Sequence, residues 1–171
     1  MCDIEIELPD LILLVDFSGN YQLFIDAVYK VFETDFVKSK PYFRGIRLGL
    51  KYHPASQDRA YTFYHMTHTG EDEQNREPEL RRCERMPWAR PVIENCDKWK
   101  LKVWEQERKG EKRICIWLEC EDEPDYLVIL NIRKGYLLPW TAYVLEYGNQ
   151  KRKKQKEYEE WLKMQKTSSK T

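Results

Sequence analysis

An α+β fold is predicted by three features of the sequence. The second half carries four successive β-prone runs joined by short turns. The first half carries an amphipathic helical stripe. The chain then closes on a long, highly charged helical segment. With 171 residues the chain is long enough for one domain with a real core. We expect that domain to span residues 1–166. Residues 1–96 should be mainly helices plus a loose strand pair, 97–148 an antiparallel sheet and 150–166 a closing helix. A frayed tail is expected over 167–171.

The start, "MCDIEIELPDLILLVDFSG", is acidic ahead of a short apolar run. A secretory signal would need a basic start and a small-residue cleavage site, so none is expected. The apolar run Leu11 to Val15 is too short to cross a bilayer. From Tyr21 to Phe36 the apolar residues Leu23, Phe24, Ala27, Val28, Val31 and Phe32 recur at helical spacing, with Ser18 or Asn20 as the cap. Two β-prone runs around "HPASQDR" then suggest the strand pair. The polar "TGEDEQNREPEL", residues 69–80, reads as an exposed and mobile loop. "ELRRCERMPWARPVIENC" reads as short helical turns broken at Pro87 and Pro91.

The sheet is the clearest part. "WKLKVWEQER" and "RICIWLEC" alternate, with the turn signal "KGEK" between them. "DYLVILNIR" and "GYLLPWTAYVLEY" follow, joined at Lys134–Gly135, giving a four-strand antiparallel meander. Pro139 points to an edge position or a bulge in the last strand. In "QKRKKQKEYEEWLKMQK", Tyr158, Trp161, Leu162 and Gln165 share one helical face.

Composition limits function. Lys plus Arg and Asp plus Glu both number 29, so the net charge is zero, and nucleic-acid or membrane binding would need a local basic patch. Neither a membrane nor a metal is expected as a partner. The five cysteines, Cys2, Cys83, Cys96, Cys115 and Cys120, fit no zinc template, and we expect a reduced, cytoplasmic protein without cofactor. Cys83 sits among Arg81, Arg82 and Arg85, which would favour a thiolate, against the plainer reading of a packed thiol. His53, His65 and His68 could bind a metal only with spacing that the β-prone run around them does not favour.

The remaining constellation is basic and polar. Four arginines fall between residues 81 and 90, and Arg81 and Arg85 share a face if that segment is helical. Arg113 and Arg133 bracket strands, and Thr141 and Tyr143 lie on one face of the last strand. Such a set could hold a phosphodiester, with arginine on the phosphate and histidine or tyrosine moving protons. The plainer reading is a solvated, salt-bridged helix face and two ordinary strand residues.

The runs "RRCERMPWARPVIENC", "EKRICIWLE" and "DYLVILNIRKGYLLPWTAYVL", followed by the basic "KRKKQKEYEEW", resemble phage-related members of the barnase/EndoU/colicin/RelE-like ribonuclease group, over about residues 60–162. That resemblance implies a small α+β domain with RNA across one sheet face, and metal-independent cleavage through the RNA's own 2′-hydroxyl. It also implies a phage- or mobile-element-borne toxin whose RNA target is ribosome-associated or tRNA, with an antitoxin or immunity protein as partner. By position it implies Arg85, Arg133, Thr141 and Tyr143 as catalytic residues and Arg113 as a substrate-binding one. His65 joins the catalytic set by analogy, as general base or acid, and Arg81 and His68 join the substrate-binding set from the basic and polar constellation. Two features depart from that pattern: the zero net charge and Pro139 within the site strand. The alternative is a non-catalytic, phage-related binding protein that uses the basic C-terminal helix.

Overall fold

The computed structural model describes residues 4–169. It is an α+β fold: helices first, then a four-stranded antiparallel sheet, then a long helix. Cys2 and the end of the expected tail, residues 170–171, lie outside the described residues.

Helix α1 (Tyr21–Phe32) starts at Asn20, whose side chain accepts from the Leu23 amide at 3.2 Å. It continues as a wider helical turn over Glu33–Lys38. Phe24, Ile25, Val28 and Phe32 are buried, whereas Leu23, expected inside, faces solvent. Strands β1 (Tyr42–Phe43) and β2 (Ile46–Arg47) form a tight hairpin whose turn, Arg44–Gly45, has positive φ at both residues.

The second β-prone run is not a strand. Tyr61–Thr67 is helix α2, and six of its seven side chains are buried. A helix enclosed on nearly all sides shows no amphipathic period, so its aromatic and β-branched composition reads as strand. The polar segment after it is also more structured than its composition suggests. Strands β3 (His68–Thr69) and β4 (Glu77–Pro78) pair across it, and a short 3-10 turn covers Glu73–Asn75. Asp72 accepts from the Gln74 amide and the Asn75 side chain, at 3.0 and 2.7 Å.

Helix α3 (Leu80–Glu84) is capped by Glu79, whose carboxylate accepts from the Arg81 and Arg82 amides. Helix α4 (Met86–Asn95) runs through Pro91 without breaking. Burial of Met86, Trp88, Ala89, Val92 and Ile93 outweighs the one backbone hydrogen bond that Pro91 cannot make.

Strands β5 (Lys102–Arg108), β6 (Glu111–Leu118), β7 (Asp125–Arg133) and β8 (Tyr136–Leu145) lie in that order, all antiparallel. One face, with Ile114, Ile116, Val128, Leu130 and Ala142, packs on α1 to α4. Helix α5 (Gly148–Ser168) covers part of the other face, and Thr167 and Ser168, within the expected frayed tail, are helical and exposed. The apolar seam of α5 is spent on this sheet: Tyr158 and Trp161 pack on a cluster of Trp104, Cys115, Trp117, Leu127 and Ile129. Tyr158 lies 5.7 Å from Trp104, ring to ring, and Lys102 donates to Gln155 at 2.7 Å. None of the helices among the described residues is long and apolar enough to cross a membrane.

The register shows how far that cover extends. Directly paired residues share a face, so the α5 side of the sheet carries successive cross-strand rows. Lys102–Trp117–Leu127–Tyr143 and Trp104–Cys115–Ile129–Thr141 run along the apolar half. Gln106–Arg113–Asn131–Leu138 comes next, and past it the paired Arg108–Glu111 and Arg133–Tyr136. The rows turn from apolar to polar and cationic beyond the cluster that α5 covers. Pro139 sits in the edge strand β8, and a bulge follows it: Leu130 pairs with Pro139 and Ile129 with Thr141, leaving Trp140 as the extra residue.

Candidate functional site

A cleft of about 800 Å³ opens over the polar half of this face. Its floor and walls come from five elements. Helix α2 supplies His65, the β3–β4 hairpin Glu73 and Arg76, and α3 Arg82. The β5–β6 hairpin supplies Arg108, Lys109 and Arg113, and the β8 bulge Trp140 and Thr141. Five cations and two carboxylates, Glu71 and Glu73, line the cleft, and two of the cations are paired from outside the lining, Arg82 with Glu79 at 3.7 Å and Arg113 with Glu111 at 3.0 Å. Arg76, Arg108 and Lys109 form no ion pair among the described residues. The positive charge left unpaired in this concave place is that of Arg76, Arg108 and Lys109.

His65 anchors the deep end. Tyr61, one turn earlier on α2, donates its hydroxyl proton to Glu73 at 2.5 Å. The Tyr61 oxygen is 2.6 Å from His65 Nε2, and since its only proton is committed, it must accept from Nε2–H. The tautomer follows from this network: Nδ1 carries the lone pair and has no partner among the described residues. The ring packs on Trp140 with centroids 4.3 Å apart, and Arg133 lies over the same indole at 5.5 Å. Burial, with the Arg76 guanidinium nearby, pushes the His65 pKa down to about 4, so its imidazole is neutral at pH 7. Burial and the bond to Glu73 push Tyr61 up to about 12.

Arg82 joins the elements. Its Nη1 donates to the His68 carbonyl at 3.1 Å and to Thr141 Oγ1 at 3.2 Å, and its guanidinium sits 5.5 Å from the Tyr143 ring centroid. It also borders a neighbouring recess of about 290 Å³, which holds Arg81 and Tyr143. There Arg81 is paired with Glu146, and burial raises the Tyr143 pKa.

The structure brings together His65, Arg113 and Thr141 in the cleft and sets Arg133 at its flank. Arg81 and Tyr143 occupy the adjoining recess. His68 lies behind the site, its ring bonded to Thr67 Oγ1 at 2.8 Å and its carbonyl orienting Arg82. Arg85 is elsewhere: 3% exposed, it pairs with Glu123 at 3.0 Å and Glu84 at 3.5 Å and stacks over Trp88. Of Arg85, Arg133, His65 and Tyr143, whose convergence in one cleft would favour catalysis and whose scatter would favour a binding protein, His65 alone lines the cleft, with Arg133 at its flank, Tyr143 in the adjoining recess and Arg85 elsewhere. Helical spacing favoured Arg81 and Arg85, but α3 ends at Glu84 and its neighbour Arg82 is the one turned to the sheet. Glu73 and Arg76 lie in a polar segment without periodicity, and only their charge marked them.

Cys83 is fully buried, and burial pushes its thiol up to about 12, opposite to what its arginine neighbours suggested. No group of three or more His, Cys, Asp or Glu with metal-binding geometry occurs among the described residues, and His65 and His68 are each bonded to their own helix neighbours.

Buried neutral histidines make stability depend on pH. Burial also pushes His68 down to about 4, aided by Arg76, Arg59 and Arg82. An unfolded histidine takes up its proton near ~6.5, whereas the fold resists protonation until about 4. Stability is thus full above the unfolded value and falls as pH drops towards the folded one, by on the order of 3 kcal/mol per histidine. Denaturant midpoints should fall steadily between about pH 7 and about pH 5, and the slope should flatten in the His65→Gln/His68→Gln double variant. An equal slope in that variant would refute the assignment.

Comparison with protein-family models, with curated proteins and with solved structures returns no match.

Proposed function

We propose that this cleft binds single-stranded RNA and cleaves it by attack of the 2′-hydroxyl on the adjacent phosphorus. The observation that carries this reading is a neutral, Nε2-anchored His65 placed in the same cleft as five cations. Polyanion binding follows from the uncompensated guanidiniums. In the reaction, His65 Nδ1 removes the 2′-hydroxyl proton and the 2′-oxygen bonds to phosphorus. The P–O5′ bond breaks, giving a 2′,3′-cyclic phosphate, and the departing 5′-oxygen takes a proton from solvent. Arg76, Arg82 and Arg113 offset the charge that builds on the non-bridging oxygens, and Thr141, held by Arg82, positions the phosphate. Nothing in this scheme asks for a metal.

The fate of α5 bears on the alternative of a binding protein working through that helix. Its aromatic seam is already packed on the sheet, which leaves mainly its charged faces for a partner.

A pH–rate profile with a labelled RNA in EDTA tests the proposal. Cleavage should stay level from about pH 7 to about pH 5 and fail only as pH approaches the His65 value near 4. His65→Ala should lower the plateau by about 10²–10⁴-fold. An acid limb near ~6.5, the ordinary histidine value, would place the base elsewhere.

A further inference from the structure

Beside the main cleft lies a recess of about 330 Å³, lined in part by Glu111, Asn131 and Arg133. Its origin is visible in the register. The β6–β7 ladder ends at Arg113↔Asn131, yet β6 begins at Glu111 and β7 continues to Arg133. The two hairpin ends therefore part beyond that pair, and the recess is the gap, with Asn131 at its root.

Asn131 is anomalous there. It is 1% exposed, and neither its Oδ1 nor its Nδ2 has a hydrogen-bond partner. Buried amides are nearly always satisfied, and one that is not calls for an explanation. Packing supplies none: its cross-strand neighbours are Arg113 and Leu138, and neither bonds to it. Above it, Glu111 ties Arg113 at 3.0 Å and Arg133 at 3.7 Å, while both arginines keep an unpartnered buried Nε.

We propose that Asn131 floors a base-reading subsite that takes adenine. This rests on the RNA reading of the cleft. A side-chain amide offers one donor and one acceptor side by side. On the Hoogsteen edge adenine alone presents the complement, an amine at C6 beside the N7 acceptor, and this is the pairing that asparagine makes with adenine in a major groove. Nδ2–H donates to N7 and Oδ1 accepts from the 6-amine. The RNA phosphate competes with Glu111 for Arg113 and Arg133. Its arrival frees the guanidiniums from the carboxylate and uncovers the amide, so phosphate binding and base reading are coupled.

The test is competition binding by the full chain, using uridine oligomers that carry one adenosine, guanosine or cytidine, and a fourth with purine riboside, which lacks the 6-amine. The adenosine oligomer should bind about tenfold more tightly than the others, and purine riboside should abolish that margin. Asn131→Asp, which replaces the donor by an acceptor, should remove the adenosine preference whatever it does to overall affinity. Equal binding of all oligomers by the native chain overturns the subsite but leaves the RNA reading standing. A preference that survives in Asn131→Asp overturns the assignment to this residue. Should that variant fail to fold, the purine riboside arm decides alone, a retained margin counting against the proposal. Failure to bind any RNA sinks both this inference and the reading on which it rests.

Discussion

Replacing Arg82 by alanine is expected to slow RNA cleavage by about 10²–10³-fold, the scale on which a preorganised charge donor contributes to a transition state. Arg82 spans the two surfaces that make the site. One Nη bonds both the His68 carbonyl on the helical side and Thr141 Oγ1 on the sheet. Its removal takes a cation from the cleft and releases the Thr141 hydroxyl. The fold should survive, because α3 is capped through Glu79 and backbone amides that do not involve the side chain. Losing two hydrogen bonds donated by a charged guanidinium, together with the Glu79 pair at 3.7 Å, should cost about 3 kcal/mol. Arg82→Lys should recover only part of the rate, since one ammonium on a flexible stem does not reproduce the planar fork. Wild-type cleavage in Arg82→Ala would mean that the chemistry happens elsewhere.

Arg85→Ala should do the reverse: destabilise strongly and leave the specific activity of the folded protein nearly unchanged. Arg85 is buried between Glu84 and Glu123, over Trp88, and its own carbonyl accepts from the Tyr126 hydroxyl at 3.4 Å. Its removal leaves Glu84, whose pKa burial already raises, without its main counter-charge. Breaking a buried pair by deleting one partner costs about 3–5 kcal/mol. The lower end applies here because Glu123 is half exposed and can be rehydrated. A denaturant midpoint close to wild type, or a collapse of rate in a well-folded Arg85→Ala protein, would restore the catalytic role that its sequence context suggested.

The contrast between these neighbours shows what the sequence made legible. The meander was readable because alternation reports burial directly, and the same alternation placed Thr141 and Tyr143 on one face. Pro139, read as an edge or bulge signal, marks both. The bulge also turned out to build the site, since Trp140, the inserted residue, is what His65 packs against. Helix α2 was not legible, because burial on nearly all sides erases the helical period. The division of the sheet face was not legible either. Thr141 and Tyr143 share a face, yet α5 and Arg82 put one in the cleft and the other in the next recess. That depends on where a helix from the chain's end comes to rest, a tertiary fact absent from local spacing. The polar hairpin carrying Glu73 and Arg76 was marked only as an exposed loop, since charge without periodicity does not say which way it faces.

The most direct measurement uses an RNA in which the cleaved nucleotide alone is replaced by its 2′-deoxy counterpart, incubated with the purified protein in EDTA. The all-ribose strand should be cut to a 2′,3′-cyclic phosphate end, and the substituted strand should remain intact at that position. Cleavage of both strands alike, cleavage only after a divalent metal is supplied, or no cleavage of either would contradict the account.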